Sequence, residues 1–438
     1  MNKIILFLIK YTPAKYIYSY TRKFYYKIKF ILLIILNIPS AIIVLLISPF
    51  IKIKISEIEI RAIGHSTMPI EIFLSELKCN IHNTKGVKYI WFINDGIFPN
   101  EKKKISNSFL LKKWREKLTI GPRFIFEPLF YIFRFLRIIR IGNYFLAPYR
   151  HCKDIPLLNT PKYISSGIQN PWQSVDIHNV LPRTEPQIKF TEEEEELGQK
   201  YLDKYNLKKN NYILFSSRTS EFRNDTKVNS RNANIKNQIF GLKKICKEKN
   251  LKAVRIGYSP KEKIDTEDNN IIDYPNSEDR TEFLDIYLSF NCKFVIGSAS
   301  GVYTMALLNR KKVLIVNHGH LSEFRLCTWT AVPFILPKKY KNLKTNKLVK
   351  YSEAFKKKLV YYENYPDEIK HYTWIDNTEI EIYEAISEMN DYIDGNLVKD
   401  DENLQNKFWK IFLDNFGYNP ESVKVSPSFL TKNRELIS

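Results

Sequence analysis

Lys293-Phe-Val-Ile-Gly-Ser-Ala-Ser-Gly301 is the stretch on which the reading of this chain turns. An apolar run of strand-forming residues delivers a Gly/Ser turn straight into the helical pattern of residues 300–310. A strand that feeds a helix through small residues is half of a βαβ unit. The flanking sequence repeats the alternation: residues 211–217, 252–257, 269–274 and 311–317 read as strands, and 233–250 and 280–291 as helices. Strands alternating with amphipathic helices call for a parallel sheet covered on both faces, in which ligands bind beyond the carboxyl ends of the strands. The turn itself suits a diphosphate, because a helix start exposes unpaired N–H groups and Gly297, Ser298, Ser300 and Gly301 let an anion come close. A plain tight turn would also use these residues.

Working outward, the 438 residues exceed what one hydrophobic core holds, about 250–300 residues, so two domains are expected. Residues 182–190 carry two prolines in a polar setting and read as a linker. Thr191 and Glu194 have capping-box spacing, and the acidic run 192–196 belongs at the positive end of the helix that follows. Upstream, residues 56–65 read as a strand ending at Gly64-His65, followed by Thr67 as N-cap, Pro69 in the first turn and a helix; residues 87–95 are a second strand. The expected organisation is an apolar and basic segment over 1–54, a first Rossmann-like domain over 55–185, a second over 186–340 and a helical extension over 341–438.

The net charge of +21 is uneven. Residues 1–54 hold nine Lys/Arg and no acid, and residues 101–150 hold twelve against three. Both stretches are interleaved with apolar residues, which favours an anionic membrane surface over nucleic acid as partner. Residues 31–50 are uncharged and long enough to cross a hydrocarbon core of about 30 Å if straight, but Pro39 lies near the middle and predicts a kink. Span, re-entrant and surface-lying arrangements all remain open. Lysines and arginines are denser before the run than after it, which sets the N-terminus in the cytoplasm; a simple span would then export the rest of the chain, whereas the non-spanning arrangements keep it on the cytoplasmic side. Arg134, Arg137 and Arg140 recur every third residue among apolar neighbours and suit either a helix lying in headgroups or an ordinary one with its arginines in water.

Cys79, Cys152, Cys246, Cys292 and Cys327 form no CxxC pair and read as reduced core residues; His318-Gly-His320 lacks a third ligand nearby and reads as structural. Cations for an anionic ligand are available near strand ends: Arg218, Arg231 and Arg255, with Arg223 better explained as a surface ion pair. In the first domain His65 and Glu71 are the candidates for proton transfer, the imidazole having an intrinsic pKa suited to a base.

Arg231-Asn232, Val254-Arg-Ile-Gly257, Ile272-Asp-Tyr274, Phe283-Leu-Asp-Ile-Tyr-Leu288 and Cys292 to Gly301 resemble the successive blocks of a family of bacterial glycosyltransferases distantly similar to O-fucosyltransferases, and Ile63-Gly-His65 with Pro69 and Glu71 resembles its N-terminal block. The resemblance covers residues 60–320 and implies an α/β, GT-B-like fold: two Rossmann-like domains facing a cleft, here preceded by an apolar membrane segment. It implies a nucleotide-sugar donor as co-substrate, no metal or other cofactor, and a glycan or lipid-linked acceptor. It places Arg218, Arg231, Asn232, Arg255, Gly257, Asp285 and the 297–301 turn around the donor. Where the family reads His-x-Arg-Asp, this chain has Ser216-Ser217-Arg218-Thr219, which keeps a silent nucleotide-sugar-binding protein open beside the transferase and a nucleotide-sugar epimerase.

Overall fold

The computed structural model describes residues 14–95, 105–138, 176, 178–219, 229–258, 262–264, 268–321, 331–361, 370–416 and 422–437. Arg223 and Arg140, Cys152 and Cys327, and the side chains of Arg134 and Arg137, lie outside the described residues. The described residues sort into two compact units, one drawn from 1–59, 83–104 and 115–147, the other from 60–82, 105–114 and 148–438.

The first unit holds helices α1 (Ala14–Leu36) and α2 (Ile38–Ile47) and strands β1 (Lys52–Ile58) and β2 (Val87–Ile93). The strands pair in parallel from Lys52↔Val87 to Ile58↔Ile93, and Trp91 adds a single parallel bridge to Ile120. A third helix of this unit, Arg123–Ile138, buries Leu129, Phe130 and Phe133. Its Phe130 ring meets Phe92 of β2 edge-on at 5.7 Å. Among the described residues the first sheet thus holds two strands and the one bridge at Trp91. The residues between β1 and β2 form α3 (Ile63–Ser66) and α4 (Met68–Lys78), which belong to the second unit, because α4 buries Met68, Ile70 and Phe73 there. The strand expected to run to His65 therefore stops at Ile58, and His65 sits on the short helix α3. Helix Ser108–Lys117 follows as α5, so Arg123–Ile138 is α6.

The N-terminal apolar run is broken as Pro39 predicts. No single helix among the described residues is long and apolar enough to cross a membrane; Tyr25–Leu36 and Ile38–Ile47 are bent by 41° at Asn37. Proline has no N–H to donate back to Ile35 and its ring crowds that carbonyl. Asn37 fills the break, its Nδ2 donating to Leu33 O at 2.8 Å and to Phe124 O at 3.1 Å.

The second unit is built on seven parallel strands. Along the chain come α7 (Glu192–Lys204), β3 (Tyr212–Ser216), α8 (Lys236–Lys249), β4 (Lys252–Arg255), β5 (Ile271–Ile272), α9 (Glu282–Asn291), β6 (Phe294–Gly297), α10 (Thr304–Leu308), β7 (Lys312–His318) and β8 (Phe334–Pro337). After a small antiparallel sheet of β9 (Lys339–Asn342), β10 (Leu348–Val349) and β11 (Tyr372–Ile375), with α11 (Tyr351–Lys356) between the last two, come α12 (Glu379–Ile393), α13 (Glu402–Phe416), β12 (Lys424–Val425) and α14 (Pro427–Lys432). The large sheet has the order β12-β8-β7-β6-β3-β4-β5. Counted from β3, the strands run 3-2-1-4-5-6 from β5 to β8, the Rossmann order, and the direction of winding reverses between β3 and β6. Central strands are buried on both faces, Tyr212 to Phe215 completely, which is why they read as continuous apolar runs.

Residues 341–438 do more than extend this domain. β12 adds to the sheet in parallel beside β8, and α12 packs on α8 so closely that a Cβ at Gly241 would lie 2.9 Å from Tyr383 Cα. The linker expected over 182–190 is likewise held in place: Leu181 O and Thr184 O accept from Arg310, and Gln187 N donates to Glu71. The capping box at Thr191 and Glu194 forms as its spacing predicts.

Candidate functional site

In a doubly wound sheet the strand ends on either side of the winding reversal diverge and leave a crevice. Here those strands are β3 and β6, in register at Ser216↔Gly297. The loops leaving them carry Arg218 and the 297–301 turn, and they are tied together. Arg218 N donates to Ser298 Oγ at 2.7 Å, and Ser217 Oγ donates to Ala233 O at 2.6 Å. The Arg218 guanidinium donates through Nη1 to Asn232 Oδ1. Arg231, partly exposed, reaches across with Nε to Ala299 O at 2.8 Å. Arg218, Arg231, Asn232, Gly297, Ser298, Ser300 and Gly301 are thereby one cluster.

His65 joins it through the backbone. A Cβ at Gly301 would lie 2.7 Å from Gly64 N, and one at Gly64 would lie 3.0 Å from Gly301 Cα, so two glycines bring main chains into contact. Thr67 Oγ1 donates to Thr304 Oγ1 at 2.8 Å, and Thr304 Oγ1 donates to Gly301 O at 2.5 Å. Trp114 Nε1 pins the same turn from the other side by donating to Ser66 O at 2.7 Å. His65 is exposed beside this junction.

The turn differs from the expected cradle in one respect. The helix over 300–310 shrinks to the five residues Thr304–Leu308, because Arg310 takes left-handed backbone (φ 59°) and Ser300 and Thr304 spend their side chains on local backbone bonds. So short a helix has little dipole, and Gly301 is sealed by Gly64; positive charge at the site must come from side chains.

A third cation was not foreseen. Lys338, at the carboxyl end of β8, is buried; its Nζ donates to Asn232 O at 2.5 Å and pairs with Asp376 at 2.7 Å. Burial pulls the Lys338 pKa below its ordinary value while Asp376 pulls it back. Asp376 also accepts from Asn234 N at 2.9 Å, so the pair braces the loop carrying Arg231 and Asn232. The only sequence signal was position: each residue directly follows a strand end.

The remaining candidates fall elsewhere. Arg255 closes β4 and Gly257 follows it, whereas Asp285 lies in the first turn of α9. Arg255 is buried, donating to Asp273 Oδ1 at 3.2 Å and Glu262 O at 2.7 Å, which makes it an internal brace. Gly257 has φ 150° with open space around its α-carbon. Asp285 pairs with Arg280 at 2.7 Å, and burial pushes its carboxyl up to about 6. The Arg280 guanidinium in turn lies 5.0 Å from the centre of the exposed Tyr258 ring.

Glu71 is separated from this end of the sheet. It is fully buried and ion-paired at 2.8 Å to Arg310, which precedes β7, whereas the cluster lies beyond the strands' far ends. Burial pushes the Glu71 carboxyl up to about 7 against the pull of Arg310.

His318 is buried at the end of β7, and Gly319 packs on the Ser230 backbone, where a Cβ would lie 2.6 Å from Ser230 O. Among the described residues no group of three or more His, Cys, Asp or Glu could hold a metal ion. Cys246 and Cys292 are buried free thiols pushed up to about 12 by burial, and Cys79 is a partly exposed free thiol.

No protein-family model matches the chain, and no curated protein matches it. Among solved structures the chain is similar to one described as the structure of E. coli ADP-heptose lps heptosyltransferase II, with a TM-score of 0.32 and 14% identity over 60% of this chain and 84% of that one, a likeness too loose to identify an activity.

Proposed function

We propose that the protein is a glycosyltransferase that takes its sugar from a nucleotide-sugar donor bound at the carboxyl ends of β3 and β6, passes it to a glycan or lipid-linked acceptor, and works on the cytoplasmic side of a membrane. The observation that carries this reading is the convergence, at the switch point of a Rossmann-ordered sheet, of Arg218 and Arg231 on the Ser298–Ala299 turn with His65 beside it.

The chemistry follows from those groups. Departure of a nucleoside diphosphate leaves negative charge that must be stabilised in the transition state. Guanidinium groups remain charged at any working pH and hold phosphate oxygens through paired N–H groups. His65, exposed at the same junction, is suited to accept the acceptor hydroxyl proton near neutral pH. Charge neutralisation by side chains is the metal-independent route. Gly257, just past β4 with open space at its α-carbon, marks the side on which the rest of a donor would extend.

Full-length protein incubated with a panel of nucleotide sugars is expected to release nucleoside diphosphate, and His65→Ala is expected to slow release about 100-fold or more while donor affinity stays within a few-fold. Binding without release would identify a silent sugar-nucleotide-binding protein. Failure to bind any donor overturns the reading.

A further inference from the structure

We infer that the first unit docks in one leaflet of an anionic bilayer, with the bent pair α1–α2 lying along the interface instead of crossing it. Thirteen of the twenty-six large apolar side chains exposed among the described residues fall between positions 25 and 51, so the exposure is localised. Leu36, Leu46 and Phe50 are 73%, 70% and 83% exposed. Among the described side chains of the pair a narrow strip is covered: Asn37, Ala41 and Val44 are buried, and α6 packs along both arms. Phe30 meets Tyr131 of α6 edge-on at 5.2 Å, and Asn37 donates to Phe124 O. Both arms are thus held to the folded unit through α6. Neither arm by itself is long and apolar enough to cross a core of about 30 Å.

Charge selects the occupant. No acidic residue precedes Ser56, whereas Lys27 and Lys29 come before the uncharged stretch 30–51 and Lys52 and Lys54 come after it. A second copy of this face in a two-fold dimer would set lysines against lysines with no carboxylate between them. Anionic headgroups complement the same lysines while acyl chains receive the leucines and isoleucines. The inference is independent of the glycosyltransferase reading.

The test is co-sedimentation of the full chain with vesicles of phosphatidylethanolamine and phosphatidylglycerol, beside vesicles of phosphatidylcholine. Wild type is expected to bind the anionic vesicles. L36E/L46E should lose about 100-fold or more in partitioning with an unchanged unfolding midpoint, since both side chains are already exposed. K27Q/K52Q should lose roughly 30-fold on anionic vesicles only. A membrane-impermeant amine reagent should label lysines within residues 1–24 when protein is added to sealed vesicles. Unimpaired binding by L36E/L46E, or wild type left in the supernatant, overturns the inference. So does a lipid-free dimer dissolved by L36E/L46E without vesicle binding, and so does protection of those lysines, which would make the pair a span.

Discussion

Arg231 and Arg218 have different work at the site, and their burial separates the consequences of replacing them. Arg231 is partly exposed and touches the turn through Nε, so R231A should weaken nucleoside diphosphate binding about 10- to 100-fold, the value of one charge-assisted contact, with little change in unfolding midpoint. R231K is expected to recover little, because a lysine cannot hold Ala299 O and a phosphate in one planar fork. Titration calorimetry with nucleoside diphosphates reads both variants. R218A should lose affinity and stability together, since Arg218 is buried against Asn232. Glu71 predicts a pH effect of definite sign. Its folded pKa, about 7, lies above the ordinary carboxylate value, so the folded state binds the extra proton. The stability this contributes is complete below about pH 4.5 and is lost as pH rises through about 7. E71Q should flatten that part of the stability-against-pH curve, measured by denaturant unfolding between pH 5 and 8; an unchanged slope assigns it to other groups.

At the scale of elements, the site depends on contacts between pieces far apart in sequence. G301A places a methyl 2.7 Å from Gly64 N, where the obstruction is backbone and cannot swing away. The expected cost is about 1–3 kcal/mol of stability, with donor turnover falling further than donor binding as His65 moves from the turn. Thermal unfolding and separate kcat and KM values distinguish the two effects. A comparable lock joins β7 to the start of α12. Asn317, in left-handed backbone at φ 54°, and Asn377 each accept from the other's main-chain N–H, at 2.6 and 2.7 Å, and Asn377 also donates to Pro337 O. N377A should cost about 2–3 kcal/mol through buried groups left unpaired, read by chemical denaturation. Individual elements were largely legible: β3, β4, β6 and β7 as apolar runs, α7 from its capping box, the break at Asn37 from Pro39. The shortening of α10 was not, because Thr304 and Ser300 prefer local bonds that a periodicity reading does not register.

For the molecule as a whole, the second unit should behave as one cooperative body that includes its last hundred residues. Native-state hydrogen exchange is expected to protect α12 and β12 to the same degree as β3 and β6, because α12 covers α8 and β12 closes the β8 edge. Early exchange of α12 would instead make it a detachable extension. The same reasoning explains why Lys338 and Asp376 escaped notice: neither sits in a motif, and only the folding of β8 and β11 brings them to the Arg231 loop.

By itself, the amino-acid order determined the kinds of element, the parallel sheet in the second half, the helix break that Pro39 imposes and the local placement of arginine beside a small-residue turn, since periodicity, capping and backbone restriction act within a few residues. Tertiary structure alone decided that β3 and β6 are the neighbours flanking the reversal, that Gly64 delivers His65 to Gly301, that Glu71 faces the opposite end with Arg310, and that Lys338 braces the loop. Those outcomes depend on which apolar faces find one another across tens to hundreds of residues, and such pairing is set by packing of the whole core.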